Sequence, residues 1–303
     1  MSFINFNMAN HLQEIKKSVS FIFIPEGTDK LKPNGTGFFV GVKNEENENI
    51  FNVYFVTAKH VLKDKDGNYL AEIVLRLNKK DGDSQLIKIV LKDVQIFEHT
   101  DKDVDIALFN CLPDQNVFDF KFIPNNLIAN KEVIEKNEIA EGDEVFFAGL
   151  FTSHLGQKRN QPIIRFGKVA LISDEKIEWK ENNKPAKFMD LYLLECQSFG
   201  GNSGSPVFFQ LNPMRKPGQI SLGGPVIFLA GLMTGSFLSG NQIQITDTVA
   251  NLISLQNVGI AAVTPANKLH EILFSEEMIK LRKDNQKNLP PSSAEPSEPV
   301  KAG

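Results

Sequence analysis

Gly200-Gly201-Asn202-Ser203-Gly204-Ser205-Pro206 is the stretch on which the reading of this chain turns. A serine in a Gly-x-Ser-Gly turn presents its hydroxyl on a tight loop and its backbone N–H toward a developing negative charge, so one residue can act as nucleophile and oxyanion donor. A serine hydroxyl is a poor nucleophile at neutral pH, so the turn has chemical meaning only if a base, and a group orienting that base, lie elsewhere. The base is read at His60, in Phe55-Val56-Thr57-Ala58-Lys59-His60-Val61, where a β-branched and aromatic run ends in small and polar residues, as a strand does on entering a turn. The orienting acid is read at Asp105, in Asp103-Val104-Asp105-Ile106-Ala107-Leu108-Phe109, at the head of an apolar stretch that would bury the carboxylate against the imidazole.

The chain order is therefore histidine, aspartate, serine. Subtilisin-type enzymes run aspartate, histidine, serine and α/β-hydrolases run serine, aspartate, histidine, so neither fits. In Thr57-Ala58-Lys59-His60, Asp105-Ile106-Ala107-Leu108 and Gly201-Asn202-Ser203-Gly204-Ser205-Pro206 the chain resembles trypsin-like (chymotrypsin-fold) serine proteases. Gly35-Thr36-Gly37-Phe38-Phe39-Val40 resembles the Gly-x-Gly-Phe strand of bacterial HtrA-like and glutamyl-endopeptidase-like members, and Gly259-Ile260-Ala261-Ala262-Val263-Thr264-Pro265 resembles the last barrel strand. The resemblance covers residues 17–275, and the PDZ domain that many HtrA proteins carry is not expected in the stretch after Leu273.

The resemblance implies an all-β fold of two six-stranded Greek-key β-barrels, and a serine endopeptidase working through His60, Asp105 and Ser203 by way of an acyl-enzyme. It places the oxyanion hole at the backbone N–H groups of Gly201 and Ser203. Thr234 falls where a hydroxyl supports the buried aspartate, and Gln197, Ser198, Ser236 and Gly259 fall around the primary specificity pocket. No acidic residue stands at the pocket base, which argues against an Arg/Lys preference, and no histidine stands where glutamyl endopeptidases bind a substrate carboxylate. An uncharged pocket for a neutral side chain is the remaining reading. Secreted trypsins carry an aspartate at the position of Asn202, paired with a newly cut N-terminal amine; asparagine cannot form that ion pair. The intact chain is therefore expected to be active, or to be switched by loop ordering on binding.

Each stretch alone has a plainer explanation: a hairpin connection, a solvated loop, a satisfied histidine. Together they would require independent coincidences in the right order. The alternative function is a catalytically inactive pseudoprotease acting as a protein-binding module, and an esterase would use the same residues. His11, His99, His154 and His270 are read as having no suitable neighbours and are left out of the chemistry.

Composition is compatible with these readings. At 303 residues with 42% apolar side chains the chain can bury a substantial core, and 33 basic against 37 acidic residues, interspersed, leave no basic face for nucleic acid or membrane. The partners implied are protein or peptide substrates, with an activating partner or a homo-oligomer left open, and neither metal nor organic cofactor is called for. Cys111 and Cys196 are the only cysteines, so no disulfide framework exists; Cys196 reads as a small buried hydrophobe near the pocket. The N-terminus lacks the charge, apolar run and cleavage site of a signal peptide, and with no span-length apolar run the expected location is cytoplasmic.

Residues 1–16 read as an N-terminal segment with a short helix at Ala9–Lys17, and Phe3, Ile4 and Phe6 are open to local packing or trimerisation. The first barrel is expected at 17–112, from runs at Val19–Ile24, Gly37–Val42, Ile50–Thr57, Glu72–Leu77, Leu86–Leu91 and Ile106–Asn110. Residues 113–135 form the connection. The second barrel, 136–264, draws on Glu144–Gly149, Arg165–Ile172, Asp190–Leu194, Ser205–Phe209, Pro225–Met233, Gln242–Thr246 and Gly259–Val263. A C-terminal helix is expected from Pro265, and 283–303, rich in Pro, Ser, Glu and Lys, is expected to be a disordered tail.

Overall fold

Short runs of Phe, Val and Ile between Gly, Asn and Asp form antiparallel strands, because alternate side chains then enter a core while the polar breaks turn the chain. A computed structural model of the chain describes residues 10–27, 30–45, 47, 50–180, 185–212, 224–244 and 251–287. Phe3, Ile4, Phe6, Thr246 and the tail from 288 onward lie outside the described residues.

After helix α1 (His11–Lys16) come β1 (Val19–Glu26), β2 (Lys30–Lys43), β3 (Phe51–Thr57), β4 (Glu72–Asn78), β5 (Ser84–Val90), β6 (Ile96–Glu98), β7 (Ala107–Asn110) and β8 (Ile123–Pro124). They make one sheet in the order β5-β4-β1-β2-β3-β7-β6, with β8 parallel beside β2. The six strands read from the sequence are all present, and the short β6 and β8 are added to them. Helix α2 (Lys131–Lys136) then leads to β9 (Glu144–Gly149), β10 (Ile163–Ile172), β11 (Ile177–Trp179), β12 (Lys187–Met189), β13 (Tyr192–Glu195), β14 (Pro206–Leu211), β15 (Val226–Gln244) and β16 (Asn251–Pro265). Six of these close into a barrel in the order β10-β13-β16-β15-β14-β9, and β11 and β12 pair as a separate two-stranded sheet. The all-β, chymotrypsin-like architecture stands.

Three details differ from the sequence reading: the first half is an eight-stranded sheet rather than a closed six-stranded barrel, and two elements change their bounds. The runs at Pro225–Met233 and Gln242–Thr246 belong to one strand, β15, whose pairing with β16 shifts register between Met233 and Gly235 and again between Ser236 and Leu238. At the C-terminus α3 (Ala266–Leu273) is followed by α4 (Glu276–Lys287), so helix continues through Lys283, where the tail was expected to begin. No helix among the described residues is long and apolar enough to cross a membrane.

The strands Val145-Phe146-Phe147 and Val207-Phe208-Phe209 are apolar without alternation because both faces are covered. Val145, Phe147, Val207 and Phe209 fill the second barrel, whereas Phe146 and Phe208 stack at 5.1 Å in the core that includes Phe21, Phe38, Phe39 and Phe55. Burying a phenyl ring of this kind contributes about 2–3 kcal/mol, so the two halves are joined by core packing.

Candidate active site

His60 and Asp105 are brought together by strand register. Thr57 of β3 pairs with Ala107 of β7, so the residues just after β3 lie beside those just before β7. His60 sits on the 3₁₀ turn Lys59–Leu62 that follows β3. Asp105 Oδ2 is 2.7 Å from His60 Nδ1, and Asp105 Oδ1 accepts the His60 backbone N–H at 2.9 Å. The carboxylate is buried, 7% exposed, while the imidazole edge reaches solvent. A carboxylate that is ionised only accepts, so Nδ1 is the donor of this pair, and in a neutral imidazole with that tautomer Nε2 is the nitrogen with the free lone pair.

Ser203 lies on the turn before β14. Gly204, at φ +82°, lets that turn pass tightly against β2 and the end of β3: a Cβ there would stand 2.1 Å from the Thr36 carbonyl and 3.0 Å from the Ala58 nitrogen. The Ser203 hydroxyl donates to the Thr234 carbonyl at 3.3 Å. Gly201 has φ +96°, a backbone conformation that glycine takes without a Cβ penalty. The Asn202 carbonyl accepts the Ser205 N–H at 2.9 Å, which points the Ser203 N–H to the opposite side of that trans peptide.

Asn202 is 1% exposed. Its Nδ2 donates to the Leu150 carbonyl at 2.5 Å and its Oδ1 accepts the Phe199 N–H at 2.8 Å. The amide thus meets a donor and an acceptor from the chain itself, where a carboxylate would need a cation.

The residues read as pocket are partly drawn together. Ser198 is buried, and its carbonyl accepts Asn257 Nδ2 at 2.7 Å, while Asn257 Oδ1 accepts the Gly259 N–H at 2.8 Å. Asn257, missed in the sequence, therefore ties Ser198 to Gly259. Ser236 lies half-buried on β15, and Gln197 is exposed. One reading is corrected: the Thr234 hydroxyl, expected against Asp105, pairs with Thr264 Oγ1 at 2.7 Å, and it is the Thr234 carbonyl that meets the site. His99 also needs correction, since its Nε2 lies 2.8 Å from Glu271 and its Nδ1 accepts the Asp101 N–H.

A cleft of about 410 Å³ opens beside His60, with Lys59, Asp105, Trp179, Lys187, Met189 and Thr234 among its lining. Trp179 and Met189 come from the β11–β12 hairpin, and Trp179 packs where a Gly235 Cβ would be, at 2.9 Å. Below the turn of His60, Glu98 gathers Lys63 at 3.0 Å, Lys102 at 3.6 Å, Lys59 at 3.9 Å and the Tyr69 hydroxyl. Burial pushes the Glu98 carboxyl up, but the bonds from Tyr69 and Lys63 outweigh it and hold the group below its ordinary value. Burial lowers the Lys59 ammonium, with Glu98 and Asp105 opposing.

Burial pushes both thiols, Cys111 and Cys196, up to about 11. Because the thiolate is the reactive form, neither cysteine of the folded protein should be alkylated by iodoacetamide at about pH 8 on a timescale that modifies both in denaturant. The same raised values mean that the folded state holds these protons more tightly. The associated stability is complete below the unfolded thiol value near 9 and is lost as pH rises toward 11, which a series of melting temperatures reads directly.

A family model described as trypsin-like peptidase domain matches residues 35–212, which hold Thr36, His60, Asp105 and Ser203. The chain belongs to that family. Among solved structures the trypsin-like domain is similar to the Rv3671c protease of M. tuberculosis in its active form, at 15% identity over 86% of this chain and 82% of that one, with a TM-score of 0.45. It is also similar to the inactive form of Rv3671c protease, at 16% identity over 86% and 90% of the two chains, with a TM-score of 0.42. No curated protein matches it.

Proposed function

We propose that this trypsin-like domain is a serine endopeptidase, hydrolysing peptide bonds by means of His60, Asp105 and Ser203. The observation that carries the reading is the double contact of Asp105 with His60, through Nδ1 and through the backbone N–H, on a turn packed against the one bearing Ser203. With Nδ1 held as donor, Nε2 is the base that takes the Ser203 proton as Oγ attacks the substrate carbonyl carbon. The carbonyl π electrons move to oxygen, where the N–H groups of Gly201 and Ser203 receive them, each donor contributing about 3 kcal/mol. Collapse breaks the C–N bond, the amine leaves with the proton from His60, and a water repeats the sequence on the acyl-enzyme. Attack requires the Ser203 hydroxyl to turn from the Thr234 carbonyl toward His60.

Trp179, Met189 and Lys187 form the wall of the cleft on which the peptide would lie, and the internal pairing of Asn202 supports a chain that needs no new N-terminal amine for its oxyanion turn. The contact of Ser203 with the Thr234 carbonyl favours a second reading, a protein-binding module with an idle triad. Intact-mass analysis after exposure to a fluorophosphonate separates the two. A single adduct on the wild type, absent from Ser203→Ala and His60→Ala, with cleavage of an unstructured polypeptide, is the expected result. A folded wild type that takes no adduct would overturn the enzyme reading in favour of the module.

A further inference from the structure

Thr36 makes four hydrogen bonds, and three of them hold the segments that build the oxyanion site. Its backbone N–H donates to the Ser203 carbonyl at 2.9 Å. Its hydroxyl donates to the Gly201 carbonyl at 2.8 Å and accepts the Leu150 N–H at 2.9 Å. Its carbonyl accepts the Thr57 hydroxyl, from the end of β3, at 2.7 Å. A hydroxyl has one hydrogen and two lone pairs, and the Leu150 amide can only donate, so the donor of Thr36 is committed to Gly201. The residue is fully buried, at 0% exposure, so water does not replace these bonds.

The consequence lies in the peptide joining Gly201 to Asn202. Glycine takes either sense of a tight turn at little cost, so Gly201 by itself does not fix which way this segment faces. Anchoring the Gly201 carbonyl to Thr36 selects one orientation of that peptide plane, whose Asn202 N–H donates to the Phe199 carbonyl at 3.0 Å and so closes the turn that holds Gly201 at φ +96°; the Asn202 carbonyl bond to Ser205 fixes the next plane, which carries the Ser203 N–H. Leu150 is tied to the same hydroxyl and, through its own carbonyl, to Asn202, which closes a ring of contacts around the turn. We propose that the Thr36 hydroxyl is the positioning group that selects the oxyanion-competent form of the 199–203 turn. Thr36 touches no reacting atom; it acts through Gly201 and Leu150. The inference rests on the serine-endopeptidase reading.

Thr36→Val removes the hydroxyl and keeps the shape, and Thr36→Ser keeps the hydroxyl. With a chromogenic peptide substrate, Thr36→Val should lower kcat by about 10²-fold, the size of losing one oxyanion donor, with KM changed by less than about threefold. Thr36→Ser should restore kcat to within about fivefold of the wild type. A second readout needs no catalysis: amide exchange of Leu150, followed by NMR, should accelerate in Thr36→Val while Phe147 in mid-β9 stays protected, and should remain slow in Thr36→Ser. Thr36→Ala serves as the hydroxyl-free variant if valine does not fold. Wild-type kcat in a folded hydroxyl-free variant, equal impairment in Thr36→Ser, or unchanged Leu150 exchange would overturn the proposal. If the wild type takes no fluorophosphonate adduct, the enzyme reading fails on that result, and the exchange comparison still decides whether the hydroxyl holds the turn.

Discussion

Asp105→Asn should lower kcat at neutral pH by about 10⁴-fold while leaving the fold intact, as expected when a triad histidine is held in the wrong tautomer. The carboxylate accepts twice from His60, through Oδ1 from the backbone N–H and through Oδ2 from Nδ1. Asparagine has one acceptor to offer and must face one of those positions with its NH₂. If the NH₂ faces the backbone N–H, two donors oppose each other and a largely buried amide is left unpaired, at a cost of about 1–3 kcal/mol. If it faces Nδ1, the imidazole only has to move its proton to Nε2, a change of tautomer that costs far less. The second arrangement therefore wins, and its Nε2 carries a proton where the proposed mechanism needs a lone pair to deprotonate Ser203. Steady-state rates on a peptide amide, with unfolding monitored in parallel, provide the measurement. A loss of less than about tenfold would show that Asp105 does not set the tautomer.

The pairing of His60 with Asp105 was legible in the sequence because both lie at the ends of strongly apolar strands, and register alone carries them together. Thr36 was visible only as part of a strand: its decisive contact, with Gly201, joins residues 165 positions apart, and no local pattern encodes it. Trp179 was passed over because Glu178 and Lys180 flank it, so a three-residue strand of a small hairpin reads as loop. The break read into β15 has a related cause. Gly235, Ser236, Ser239 and Gly240 look like turn residues, yet here they lie along a continuous strand with two shifts of register. Thr234 lies beside Ser203, but which of its groups meets that hydroxyl depended on Thr264, a partner on β16. Residues 283–287 looked like tail by composition, although Lys, Asn and Gln continue a helix once Met278 is buried at its start. Periodicity found the strands, and long-range polar pairing set the contacts within the candidate site.

Asn202→Asp changes one atom and should abolish most activity at neutral pH while destabilising the fold. In the native turn Nδ2 donates to the Leu150 carbonyl, and Oδ1 accepts from Phe199. A carboxylate keeps the second bond and sets an anionic oxygen against the Leu150 carbonyl oxygen, at a position only 1% exposed and with no cation among its contacts there. An uncompensated charge buried in this way costs about 3–5 kcal/mol, more than a surface turn can hold against rearrangement. The turn is then expected to open toward water, with a loss of about 10³-fold in kcat as both oxyanion donors leave their places. The pH dependence has a definite sign. Burial and the facing carbonyl raise the carboxyl in the folded state, so the variant's deficit is smallest near and below about pH 4, where the protonated acid can donate to Leu150, and it grows as pH rises. Urea unfolding of both proteins across the acid range tests this directly. A difference in stability that shrank as pH rose would mean that the Asn202 side chain does not need to donate to Leu150, and the account of a turn satisfied without a counter-ion would fail with it.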